Sequence, residues 1–143
     1  MFDTPPLSPW IDLAPHGDSR GQLTVAEGLA LPFEIKRLYW LHGFSGAPRG
    51  GHAHRTLWQV FVPLAGALTL TLETARGARS YRLDNPARAL LVGPMTWRDL
   101  TDFAPETVCL VMASAAYDEA DYIRDHAAFR VAARHVTFSP TTA

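Results

Sequence analysis

Short apolar runs broken by Gly, Pro, Asn and Asp recur along the 143 residues, a spacing that suits the strands of a sandwich or barrel rather than long helices. In Leu68-Thr69-Leu70-Thr71-Leu72 the alternation is strict, so the leucines share one face and the threonines the other. On this pattern strands are expected over residues 21–27, 34–41, 51–55, 58–65, 67–73, 79–83, 89–92, 96–100 and 107–114. Ala75-Arg76-Gly77 and Asp84-Asn85-Pro86 supply turn chemistry between them. Pro5, Pro6 and Pro9 exclude ordinary helix or strand interior, so residues 1–19 read as an N-terminal arm. Over residues 117–129, apolar Tyr122, Ile123 and Phe129 follow the early acids Asp118, Glu119 and Asp121, a charge order that favours a short helix. Residues 131–143 read as a tail. The expectation is one all-β domain spanning 1–143, a jelly-roll barrel with a short C-terminal helix.

Chemistry concentrates in residues 46–66, GAPRGGHAHRTLWQVFVPLAG. The spacing G-x5-H-x-H-x4-(acid)-x6-G resembles the first signature motif of the cupin β-barrel, with Gln59 at the acidic position. In metal-binding cupins the two His and the acid of this motif join a later His in P-x-G-x-x-H to hold a transition metal. Here the later stretch is Gly93-Pro94-Met95-Thr96-Trp97-Arg98, with Trp97 or Arg98 where that His would sit. Neither Gln nor Trp offers the anionic oxygen or imidazole nitrogen a divalent metal prefers, so no metal and no cofactor is expected. His52 and His54 lie two apart on a strand and project to one face. A pair of pocket imidazoles without a metal points to proton transfer, because imidazole titrates near neutrality.

Charge narrows the partners. Thirteen Lys and Arg against fourteen Asp and Glu give a net charge of −1, too little global field to recruit nucleic acid or an anionic membrane. An anionic ligand must therefore meet a local arginine cluster, for which Arg20, Arg49 and Arg98 are the candidates, Arg49 standing beside Gly50-Gly51 at the lip of the expected barrel. Trp97 and Arg98 are neighbours on a strand, so only one of them faces the pocket. The same holds for Tyr39 and Trp40. His16, His42, His126 and His135 are assigned to structural or surface roles, and the single cysteine, Cys109, to core filling in a reducing compartment. With no 18-residue apolar segment and no signal-like N-terminus, the chain reads as cytoplasmic, without membrane contact.

Six blocks carry a more specific resemblance: Arg20-Gly21, PFEIKRLYW (32–40), RGGHAH (49–54), VGPMTWRDLTDF (92–103), LVMAS (110–114) and YDEADYIRDHAAF (117–129). In this order they resemble the WxcM-like sugar nucleotide 3,4-ketoisomerases, which are metal-free cupins. The resemblance implies conversion of a dTDP-4-keto-6-deoxyhexose to its 3-keto isomer, in a homodimer that exchanges strands. It further implies His52 and His54 as an acid/base pair, Tyr39 as a hydroxyl that relays a proton, and Arg20, Arg49, Arg98, Gln59 and Trp97 around the substrate. Trp40 departs from the Tyr often found at its position. Two other classes stand beside this reading: a non-catalytic module that binds a nucleotide sugar, and a metal-dependent cupin oxygenase using His52, His54 and waters.

Overall fold

The computed structural model describes residues 8–136. Its strands are β1 (Trp10–Asp12), β2 (Pro15–Asp18), β3 (Gly21–Thr24), β4 (Arg37–Leu41), β5 (Arg49–His54), β6 (Gln59–Ala65), β7 (Leu68–Thr74), β8 (Gly77–Leu83), β9 (Arg88–Val92), β10 (Trp97–Thr101), β11 (Val108–Ala113) and β12 (Tyr122–Ile123), followed by helix α1 (His126–Arg134). Two five-stranded antiparallel sheets run in the orders β1-β9-β6-β11-β4 and β12-β5-β10-β7-β8, and β2 pairs with β3 in a separate two-stranded sheet. All nine expected strands are present, their ends displaced by at most three residues. This is the all-β jelly-roll architecture anticipated, with one short helix near the C-terminal end.

Alternation explains where the core lies. Leu68, Leu70 and Leu72 turn inward from β7 while Thr69 and Thr71 remain half-buried outside, and the leucines meet Phe61, Leu83, Leu90, Val92, Leu100, Cys109 and Val111 between the sheets. Each such side chain contributes about 1.5–3 kcal/mol by leaving water. Burial also pushes the Cys109 thiol up to about 12, which suits a core filler and no reactive role. The opposite face of the first sheet is covered by Leu13, Leu31 and their neighbours against Val60, Val62 and Met112.

That covering corrects the reading of residues 1–19 as an arm. Residues 1–7 lie outside the described residues, but β1 is laid down as an edge strand on β9, with Leu13 N–H donating to Ala87 O at 2.8 Å. Pro9 is tolerated because its carbonyl, which accepts from Leu91 N–H, is what the ladder needs from it. The C-terminal expectation also shifts. Residues 119–121 make a 3-10 turn, β12 joins β5, and α1 begins only after Asp125, whose carboxylate accepts from Ala128 N–H at 2.9 Å. An Asp that can cap competes with its own place inside a helix, so the helix starts later and runs on to Arg134, with Ala133 buried. The tail assigned to residues 131–143 thus gives up its first turn to α1, and residues 137–143 lie outside the described residues.

Candidate active site

The site forms where β4, β5, β6 and β10 turn inward and β12 closes one end. On β5, Gly50 and Gly51 adopt φ of 83° and 69°, conformations that favour glycine. A side chain at position 50 would meet Arg98 O at 2.7 Å, so glycine there lets β5 approach the backbone of β10, where the ladder also bulges at Arg98. Beyond the bulge the strand regains its period of two and sends His52 and His54 to the same inner face. Alternation on β4 selects Arg37, Tyr39 and Leu41 for the interior and leaves Leu38 and Trp40 exposed. Tyr39 is therefore the pocket phenol, and the departure at Trp40 falls outside the site. The resulting cavity of about 350 Å³ is lined by Arg37, Tyr39, Leu41, Arg49, Gly50, His52, Phe61, Arg98, Leu100, Tyr122 and Arg124.

Arg98, not Trp97, faces inward. It is 1% exposed, donates to Gln59 Oε1, and places a second N–H on Thr96 O at 2.9 Å. Gln59 Nε2 in turn donates to Tyr39 Oη at 2.9 Å, which leaves the phenolic proton free to serve the cavity. Burial holds the Tyr39 phenol above its ordinary value, so it is a proton donor at neutral pH. Gln59 stands at the position of the cupin acid and Arg98, the inward one of the pair Trp97 and Arg98, at that of the later His. A buried guanidinium repels a divalent cation, and among the described residues no three His, Cys, Asp or Glu converge. The donor set does not fit a metal.

The two histidines are not equivalent. His52 lines the cavity, whereas His54 is 1% exposed and borders a smaller recess of about 60 Å³ with Asp118, Asp121 and Tyr122. Their rings meet edge to face at 5.0 Å, and Tyr122 packs against both, at 4.9 and 4.2 Å. Burial first, and the Arg98 cation second, push His52 down to about 4 and His54 to about 3. Both are neutral bases at pH 7. Along the rim, Arg124 stacks on Tyr122 at 4.1 Å and forms a two-bonded pair with Glu119, at 2.7 and 2.9 Å. That pairing, then a hydrogen bond from Tyr117, pushes the Glu119 carboxyl down to about 2. Arg37 lies 5.1 Å over Tyr39.

Of the residues singled out in the sequence, the fold brings together His52, His54, Tyr39, Gln59, Arg49 and Arg98. It does not bring in two others. Trp97 points to the far side of β10 and packs on Phe129 and His126 of α1, so it belongs to an apolar cluster. Arg20 is exposed on the β2–β3 turn in an ion pair with Asp18 at 2.6 Å and does not line this cavity. The cavity also holds Tyr122 and Arg124, which a helical reading of residues 117–129 conceals, and Arg37, to which the sequence pattern assigns no role. The signal that could have found Tyr122 and Arg124 was the block YDEADYIR itself, whose density of ionisable and aromatic residues exceeds what a covering helix needs.

Comparisons with known proteins agree with this geometry. The profile of the WxcM-like, C-terminal family (FdtA) matches residues 8–134. The TDP-4-oxo-6-deoxy-alpha-D-glucose-3,4-oxoisomerase of Aneurinibacillus thermoaerophilus is 43% identical over 115 residues, 79% of this chain and 83% of that protein. QdtA, a sugar 3,4-ketoisomerase from Thermoanaerobacterium thermosaccharolyticum solved in complex with TDP, superposes with a TM-score of 0.85 at 35% identity, covering 87% of this chain and 93% of that one. A variant of QdtA with one histidine replaced by asparagine, solved with TDP-4-keto-6-deoxyglucose, gives a TM-score of 0.87 at 33% identity over 91% and 96% of the two chains. With a profile that spans nearly all the described residues and relatives alike in sequence and shape, the chain belongs to the WxcM-like, FdtA family of cupin-fold proteins.

Proposed function

We propose that the protein is a sugar nucleotide 3,4-ketoisomerase that converts dTDP-4-keto-6-deoxy-D-glucose to a dTDP-3-keto-6-deoxyhexose by proton transfer through an enediolate. The observation that carries this reading is His52, a neutral imidazole inside a cavity that also holds two phenols and the Arg98 cation. The C4 ketone acidifies the C3 proton, which His52 removes. The electron pair moves onto O4, and the enediolate that forms is stabilised by Arg98. Return of a proton to C4, with transfer of the O3 proton to O4 through Tyr39 or Tyr122, completes the shift without net redox change. A dianionic diphosphate near the arginines offsets their charge and brings His52 back toward the range where a general base works best.

The cavity lining contains Arg37, Arg49, Arg98 and Arg124 and no carboxylate, which suits a diphosphate. Arg49→Ala and Arg124→Ala each weaken TDP binding roughly ten- to a hundredfold, with an affinity that falls as salt rises, whereas Arg79→Ala on β8 leaves it unchanged. Calorimetry that finds all three alike moves the diphosphate elsewhere.

Incubation with dTDP-4-keto-6-deoxyglucose in D₂O, followed by NMR, tests the activity. A 3-keto product with deuterium at C4 is expected. Binding without conversion is the result for a non-catalytic module, and conversion lost on chelation is the result for a metal enzyme; either overturns the proposal. The assembly we propose is a homodimer. Among the described residues β4 is an open sheet edge carrying exposed Leu38 and Trp40, and the β2–β3 hairpin, with Leu23 exposed, pairs with no other strand. A lone hairpin is marginal in water, and a second copy can cover both. Light scattering that gives a monomer at micromolar concentration contradicts it. The location we propose is the cytoplasm, supported by a charged sugar nucleotide as substrate and a buried free thiol. Among the described residues no helix is long and apolar enough to cross a membrane.

A further inference from the structure

We propose that Asp121 is the positioning residue of His54: it holds the proton of that imidazole on Nδ1 and keeps the ring edge-on to His52 while His52 exchanges protons with substrate. This rests on the proton-transfer reading above and assigns a residue that the reading leaves unused. Asp121 ends the 3-10 turn that precedes β12, and its carboxylate is 13% exposed. Oδ1 accepts from Thr56 N–H at 2.9 Å and from Thr56 Oγ1 at 2.7 Å, and Oδ2 accepts from Leu57 N–H at 3.2 Å. Its carbonyl accepts from Arg55 N–H at 2.9 Å. Three donors from the turn between β5 and β6 fix the carboxylate in one orientation, and the fourth, Arg55 N–H, anchors its backbone.

So fixed, Oδ2 stands 3.3 Å from His54 Nδ1. Apart from this contact, neither ring nitrogen of His54 has a hydrogen-bond partner among the described residues, and both nitrogens are shielded from solvent. A neutral imidazole carries one proton, and the nitrogen beside a carboxylate is where it is held, leaving Nε2 as a bare lone pair. The other groups around the ring do not compete for this role. His52 on β5 and Arg98 on β10 oppose positive charge on His54, Tyr122 on β12 packs on its face, and the adjoining recess adds Arg37 and Asp118. The Asp118 carboxylate is engaged with Ala120 N–H at 3.0 Å. Asp121 therefore supplies the negative charge that faces His54. Because the same carboxylate ties the 3-10 turn to residues 55–57, it also sets the place of Tyr122, whose strand pairs in register with His54.

Nitrogen-15 NMR of the imidazoles in ligand-free wild-type protein reads the tautomer without any turnover. The expected result is the Nδ1–H form for His54 throughout pH 6–8. An Nε2–H form overturns the proposal, and does so whether or not the protein proves to be an isomerase. In Asp121→Asn the amide oxygen retains the Thr56 contacts, so the NH₂ faces His54 Nδ1 and the ring must move its proton to Nε2. Turnover then falls roughly 10²-fold or more, as expected when a carboxylate that sets a histidine tautomer is lost, with KM little changed. Asp121→Glu restores the Nδ1–H signal and part of kcat. An Asn variant that keeps the wild-type tautomer, or that switches it with kcat intact, overturns the assignment; an absence of isomerisation in wild type with the Nδ1–H form present would instead sink the proposed function alone.

Discussion

His52→Asn lowers turnover by roughly 10²- to 10⁴-fold while TDP remains bound, the cost of removing a general base whose place is kept by a side chain that cannot exchange a proton. Asn preserves polarity and nearly the reach of the imidazole, and the arginines that hold the diphosphate are untouched. The same variant halts exchange of the C3 proton with D₂O, which separates loss of the base from slow product release. His54→Asn costs less than the upper end of that range, at the roughly 10²-fold expected for Asp121→Asn, because its ring borders the recess behind the cavity rather than the cavity itself. A His52 variant with turnover within a few-fold of wild type would remove the proton-transfer mechanism.

Arg98→Met separates stability from function. A guanidinium at 1% exposure carries a desolvation cost of several kcal/mol, which Met does not. Against this, Gln59 Oε1 and Thr96 O each lose a donor, at about 1–3 kcal/mol apiece. The terms nearly cancel, so the melting temperature at pH 7 stays close to wild type. Turnover does not: a fixed charge facing a developing enediolate is worth roughly 10²–10³-fold. The pH dependence changes as well. In wild type the folded histidines hold pKa values near 4 and 3 against 6.5 unfolded, so between these limits the unfolded chain binds more protons. Their contribution to stability is whole above pH 6.5 and is lost as pH falls from there through about 4 for His52 and about 3 for His54. Without Arg98 the folded values rise toward 6.5, the window narrows, and the drop in melting temperature from pH 7 to pH 5 shrinks. A variant that melts far below wild type at pH 7, or one that keeps full turnover, contradicts this account.

The comparison of sequence and structure turns on reach. Strand positions were legible because a half-buried strand writes its own period: Leu68 to Leu72 is the clearest case, and every strand expected from such alternation is present. The pairing of His52 and His54 on one face, and the replacement of the motif's acid by Gln59, were legible for the same reason, since both depend on spacing along a short stretch of chain. Alternation could state that Trp97 and Arg98 face opposite ways, and likewise Tyr39 and Trp40, but not which of each pair faces inward. That choice is made by what lies on either side of the sheet, α1 beyond Trp97 and solvent beyond Trp40.

By itself, then, the order of residues determined a two-sheet β-fold, an inward histidine pair and the residue types on which the proposed proton transfer rests, because each is a property of local period and residue type. Tertiary structure alone decided the rest. The Arg98–Gln59–Tyr39 chain joins partners 39 and 20 positions apart in three strands, and Asp121 meets His54 from 67 positions away along the chain. Residues 117–123 look helical in isolation, where only the near neighbours of Asp118 and Asp121 count. In the folded chain β5 offers an open edge to Tyr122 and Ile123, and hydrogen bonds to that edge outweigh the two or three that a single helical turn could make.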